Sequence, residues 1–145
     1  MGDIKWWLGK YPFLRIKDNR VYPWLTIDAD DEYWFDDIPE GWVKSFGAQM
    51  CDELMEALGE YVDDFIIAQV KEKYGSLRAH WYWKDHNDDE AHKDIADKIY
   101  KILHKYEDIS FHTCVTCGKP STKFTHGWVT PVCESCYDKK YNGQR

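Results

Sequence analysis

Four cysteines, Cys114, Cys117, Cys133 and Cys136, stand in the spacing C-x2-C-x15-C-x2-C. Two thiolates three positions apart can grip one ion from a tight turn, and a second such pair closes a tetrahedron around it. Zn²⁺ favours four soft, deprotonated ligands of this kind, and the interval between the pairs fits a zinc-site template. Gly118 follows the first pair, where a residue free to take positive φ lets backbone N–H groups point at the sulfurs. The expected cofactor is a structural Zn²⁺, because a closed four-thiolate shell leaves no position open for a substrate.

Disulfide pairing would need an oxidising compartment. The stretch from Met1 to Tyr11 is polar and carries tryptophans instead of an apolar signal segment. No apolar run approaches the roughly 20 residues that span a bilayer. The expectation is a cytoplasmic protein without a membrane partner. His112 and His126 lie near the cysteines, but four thiolates already complete the shell. Cys51 falls on a helical face with Leu54, Met55 and Leu58, which predicts a buried structural thiol.

A chain of 145 residues permits one compact domain or one with a small appended module. The boundary is expected between an α+β domain at 1–110 and a four-cysteine module at 111–145. Eight Trp, ten Tyr and six Phe are enough rings to fill a small core and leave some for a partner surface. Charge is unevenly spread. Residues 1–50 carry six basic and nine acidic groups, residues 51–110 eight and fifteen, and residues 111–145 five and two. The last segment, at +3, becomes about +1 once four thiolates and Zn²⁺ are counted, well short of the usual nucleic-acid-binding face.

Leu14 and Ile16 alternate with Arg15 and Lys17 within Tyr11 to Ile27, which reads as two short strands around Asp18-Asn19, with Pro12 and Pro23 at a sheet edge or at strand starts. An acidic run from Asp28 to Glu40 follows, with seven carboxylates and no basic residue. Val43, Phe46, Met50, Leu54, Leu58 and Tyr61 recur at helical steps, and Gly59 supplies a stop signal. Phe65–Lys73 and Leu77–Trp83 form a hairpin around Tyr74-Gly75-Ser76. Its second arm places Leu77, Ala79, Trp81 and Trp83 on one face. A second helix is expected after Asn87 as N-cap, with Ala91, Ile95, Ile99, Ile102 and Tyr106 as its buried stripe. The fold class is α+β: a small, mostly antiparallel sheet, two packed amphipathic helices, and a zinc-ribbon or treble-clef-like C-terminal module.

Gly41-Trp42, the segment Lys71-Glu72-Lys73-Tyr74-Gly75-Ser76-Leu77-Arg78, and Cys114 through Cys136 occur in an order that resembles a family of small phage- and prophage-encoded proteins. The resemblance spans about residues 40–136. The sequence departs from it at Pro39-Glu40, where the family often has Gly-Asp, and residues 1–35 match nothing in it. The resemblance implies a mobile-element origin and a role against a host, and carries over no catalytic residues.

The remaining constellations are weak as catalytic sites. Fifteen residues between the cysteine pairs are too few for the ββα unit of a metal-bracketed nuclease. His80, His86 and His92 share no helix face, and the histidines read as scattered and mostly exposed. Asp28, Asp30 and Glu32 imitate an EF-hand start, but Tyr33 and Pro39 stand where Gly and Glu are required. No nucleophile–base pair or phosphate loop is present. Asp28, Asp30, Asp31, Glu32, Asp36 and Asp37, interleaved with Trp34, could offer a basic groove the charge density of nucleic acid. Acidic residues along the first helix would extend that surface. With the resemblance, this predicts a non-enzymatic interaction protein that binds a host protein through an acidic-aromatic surface: an inhibitor of a defence nuclease by nucleic-acid mimicry, or a modulator of host transcription, unless the run is only a solubilising loop. The alternative is a nucleic-acid-binding zinc-module regulator.

Overall fold

Tyr11, Phe13 and residues 38–86 and 89–141 are described by a computed structural model. The two short strands expected within Tyr11 to Ile27, apart from Tyr11 and Phe13, lie outside the described residues, as does the acidic run from Asp28 to Asp37.

The first helical segment begins at α1 (Glu40–Trp42), earlier than the apolar repeat predicted. It passes through a π-helical turn, Val43–Gly47, into α2 (Ala48–Leu58). Gly59 ends α2 at φ 52°, as its sequence position suggested, and a 3₁₀ segment, Gly59–Asp64, leads to the sheet. Val43, Phe46, Met50, Leu54 and Leu58 are buried, and Trp42 and Cys51 join them.

Strands β1 (Phe65–Lys73) and β2 (Ser76–Trp83) form an antiparallel hairpin. Tyr74 and Gly75 close it, both at positive φ, the geometry whose twist matches that of the flanking strands. The register slips between Ile67 and Gln69. The extra residue moves the buried series from Phe65 and Ile67 to Val70, so a β-bulge keeps one face of a long strand on the core.

A kinked turn at Lys84–His86 leads towards α3 (Glu90–Phe111). Its N-cap is Asp89, not Asn87: the carboxylate accepts from the main-chain N–H of His92 at 2.9 Å. The buried stripe also differs from expectation. Ala91 is exposed, and His92, Ile99, Tyr106 and Ser110 are buried. Helices α2 and α3 enclose the inward face of the hairpin, with Tyr11 and Phe13 in the same core.

After α3 the chain forms the first cysteine turn, the short hairpin β3 (Lys123–Phe124) and β4 (Pro131–Val132), and α4 (Glu134–Tyr141). The α+β class and the cysteine-rich C-terminal module are as expected. Cys133 precedes α4 and Cys136 lies in its first turn, the treble-clef-like order. Among the described residues no helix is long and apolar enough to cross a membrane.

Candidate metal centre

The first cysteine pair sits on a turn closed by main-chain bonds. Cys114 N–H donates to the Lys119 carbonyl at 2.8 Å, and Gly118 N–H donates to the Cys114 carbonyl at 3.0 Å. Of the second pair, Cys133 lies between β4 and α4 and Cys136 within α4, and Val115 N–H donates to the Pro131 carbonyl at 2.9 Å. That bond fixes one pair against the other.

The outcome is convergence of all four sulfurs. Those of Cys114, Cys117, Cys133 and Cys136 lie within 4.8 Å of one another, and Cys117 Sγ stands 3.6 Å from Cys133 Sγ. A tetrahedral ion with metal–sulfur bonds of about 2.3 Å separates its ligands by about 3.8 Å. The four sulfurs can therefore hold one metal ion. Cys114 and Cys133 are buried and the other two half-buried, so the shell is closed by protein on one side.

The electrostatics of the thiols favour a cation. Burial pushes the Cys114 thiol up, but N–H groups of Cys117, Cys133 and Thr116 outweigh it and bring Cys114 down to about 6. Cys136 is pushed up to about 12 by burial and by its sulfur neighbours. One thiolate forms readily and then opposes the next, an obstacle that a bound cation removes. No histidine joins the group among the described residues. His126 instead stacks on Tyr141 at 4.4 Å, with Nε2 3.1 Å from the Tyr137 hydroxyl.

The start of the first helical segment supports this centre from outside. Gly41 N–H donates to the Val115 carbonyl at 2.9 Å, and Trp42 Nε1 donates to the Thr113 carbonyl at 2.9 Å. A Cβ on Gly41 would lie 2.3 Å from the Cys114 carbonyl oxygen, and one on Gly118 2.7 Å from the Gly41 carbonyl oxygen. Both contacts are with backbone, which has little room to yield. Gly118 also takes φ +86°, so the two glycines allow main chain to meet main chain beside the first ligand.

The residues offered for mimicry, Asp28, Asp30, Asp31, Glu32, Trp34, Asp36 and Asp37, lie outside the described residues. The acidic extension along the first helical segment is partly used internally. Asp52 accepts from Tyr11, Glu53 accepts from Tyr106 and, at 2.6 Å, from Lys105. Asp64 faces His92 at 3.1 Å. These three carboxylates have structural partners, yet Asp52 stays exposed and Glu53 and Asp64 half-buried.

His92 was expected among scattered, exposed histidines, and is instead buried. Its Nδ1 lies 2.9 Å from Asp89 and its Nε2 3.1 Å from Asp64, and the rings of Tyr61 and Trp83 meet its ring, each at 4.8 Å. Hydrogen bonding to Asp89 and then Asp64 raises its pKa. The signal available in the sequence was its i,i+3 spacing from an N-cap aspartate.

Comparison with protein-family models, curated proteins and solved structures finds no match to this chain.

Proposed function

We propose that this protein is a non-enzymatic recognition protein stapled by a structural Zn²⁺ on Cys114, Cys117, Cys133 and Cys136. The convergence of four sulfurs supports the reading: an ion with four thiolate ligands has no open position for a reacting group. Zinc is the metal proposed, since soft thiolates in a tetrahedron suit a d¹⁰ cation. The ion's work is mechanical. It joins the turn that Gly41 and Trp42 grip to the helix that carries Cys136.

The partner in this reading is a host protein with a basic surface, bound by acidic and aromatic residues in a host cytoplasm. Nucleic-acid mimicry by the run from Asp28 to Asp37, directed at a defence nuclease, is the specific form that the phage-family resemblance suggests. Crosslinking mass spectrometry in the native host, with the zinc-loaded chain as bait, tests it. A basic, nucleic-acid-binding protein crosslinked through the acidic run supports mimicry. Crosslinks to nucleic acid alone would favour a zinc-module regulator instead.

A further inference from the structure

Among the described residues, exposed apolar surface is concentrated. Tyr74, Tyr100, Phe111, Phe124, Trp128 and Val129 are the large apolar side chains more than a third exposed among the described residues. They come from the hairpin tip, α3 and the metal module. Tyr100 lines a cavity of about 190 Å³ between β2 and α3, floored by Leu77, Ala79 and Leu103. Tyr74 and Phe111 frame an adjoining, more open cavity of about 390 Å³. The two share Arg78, His104 and Glu107, and so form one groove. At its open end Trp128 stacks on Tyr74 with centroids 5.8 Å apart, and Phe124 meets Phe111 at 5.2 Å. The cysteine-rich module thus packs against two of the rings that frame the groove. Trp128 Nε1 donates to Glu72 at 2.7 Å, which ties the metal module to the hairpin there.

The charges lining the open end point to the occupant. Glu107 already faces Arg78 at 3.3 Å and His104 at 3.7 Å. Asp108 lines the same cavity and is exposed, and its carboxylate makes no hydrogen bond or ion pair among the described residues. Counting Arg78, Glu107 and Asp108 gives the lining a formal −1, histidine left out of the count, within a segment, 51–110, that carries eight basic and fifteen acidic groups. A phosphate chain would meet these carboxylates unfavourably. A guanidinium or ammonium beside aromatic walls and an unpaired carboxylate gains from both.

We infer that this groove docks an extended apolar peptide segment of a protein partner, with one Arg or Lys side chain seated between Tyr74, Phe111 and Asp108. The assignment rests on the recognition reading above and adds to it a second place of contact, apart from the acidic run, with its own chemistry. The apolar side chains cover Leu77, Ala79 and Leu103, and the rings at the mouth surround the basic residue's stem.

The test titrates zinc-loaded full chain, observed by ¹H–¹⁵N NMR, with acetyl-Gly-Leu-Arg-Leu-Leu-Gly-amide and with its Glu-for-Arg counterpart. The Arg peptide should shift the Trp128 indole and Gly75 amide saturably and leave the buried Trp42 indole in place. The Glu peptide should bind at least about tenfold more weakly, and Asp108→Asn should cost the Arg peptide about tenfold. Trp128→Ser, with an unmoved Trp42 indole reporting a folded chain, should weaken binding as well. Unshifted groove signals at about 1 mM peptide, comparable binding of both peptides, or the same shifts produced by raising protein concentration alone would each overturn the assignment. If Asp108→Asn and Trp128→Ser chains still crosslink the same host partner at the parent's yield, the groove assignment fails while the recognition reading stands. If the peptide behaves as expected but no host protein crosslinks, the converse holds.

Discussion

The indole N–H of Trp42 donates to the main-chain carbonyl of Thr113, one position before the first cysteine of the metal cluster. Gly41, its neighbour, donates to the carbonyl of Val115, one position after that cysteine. A Gly-Trp dipeptide therefore holds both sides of Cys114 from a helix start more than 70 positions away in sequence. Trp42→Phe preserves most of the ring and removes the donor. The buried Thr113 carbonyl then lacks its partner, a cost of about 1–3 kcal/mol. Urea denaturation of the zinc-saturated variant should show that loss, with metal content unchanged.

Gly41→Ala should be harsher than Trp42→Phe. The new methyl group would meet the Cys114 and Val115 main chain at 2.3 to 2.7 Å, so the helix start must lift off the cysteine turn. Overpacking costs about 1–3 kcal/mol, and more where, as here, rigid backbone meets the added methyl. Competition with a chromophoric chelator should also show weaker metal retention, because the support of the first ligand has moved. Unchanged retention would mean that the grip on Cys114 does not act on the metal.

His92 makes stability depend on pH on the neutral-to-alkaline side. Asp89 and Asp64 hold its folded-state pKa above 6.5, so the folded chain binds this proton more tightly than the unfolded chain. Its contribution is complete below about pH 6.5 and is lost as pH rises through the folded value. The urea midpoint of zinc-saturated protein should fall as pH rises from 6 to about 9. His92→Gln should be less stable at pH 6 and should flatten that slope. An identical slope in the variant would show that another group titrates.

Ser110 joins α3 to the hairpin. Its hydroxyl accepts from Leu77 N–H at 2.7 Å and donates to the Glu107 carbonyl at 2.6 Å, and its side chain is fully buried. Ser110→Ala leaves the Leu77 amide without an acceptor and should cost about 1–3 kcal/mol. Hydrogen exchange at Leu77 should quicken more than at Val70, across the same sheet. Equal protection at both would contradict this role for the hydroxyl.

Features set by short-range pattern were legible in the sequence. The cysteine spacing led to four converging sulfurs, Gly59 to a helix end, and Tyr74-Gly75 to a hairpin turn. Features that depend on a distant partner were not. Gly41 and Trp42 could be noticed as a motif, but only the packing of α1 on the cysteine turn gives them a physical reason. Asp89 displaced Asn87 as cap because its carboxylate reaches both the amide and the ring of His92. That cap starts the helix at Glu90, where Ala91 faces outward and His92 inward. The exposed aromatic residues come from separate elements, so linear sequence does not reveal that they line one groove.

Metal content of protein purified without chelator tests the central claim most directly, measured by elemental analysis beside native mass spectrometry. One zinc per chain is expected. Cys133→Ser should lose it, together with much of the order of the C-terminal module, since structural zinc contributes about 10 kcal/mol or more to such sites. A parent chain with well under half an equivalent of metal, or a Cys133→Ser variant with the parent's melting curve, would contradict the account.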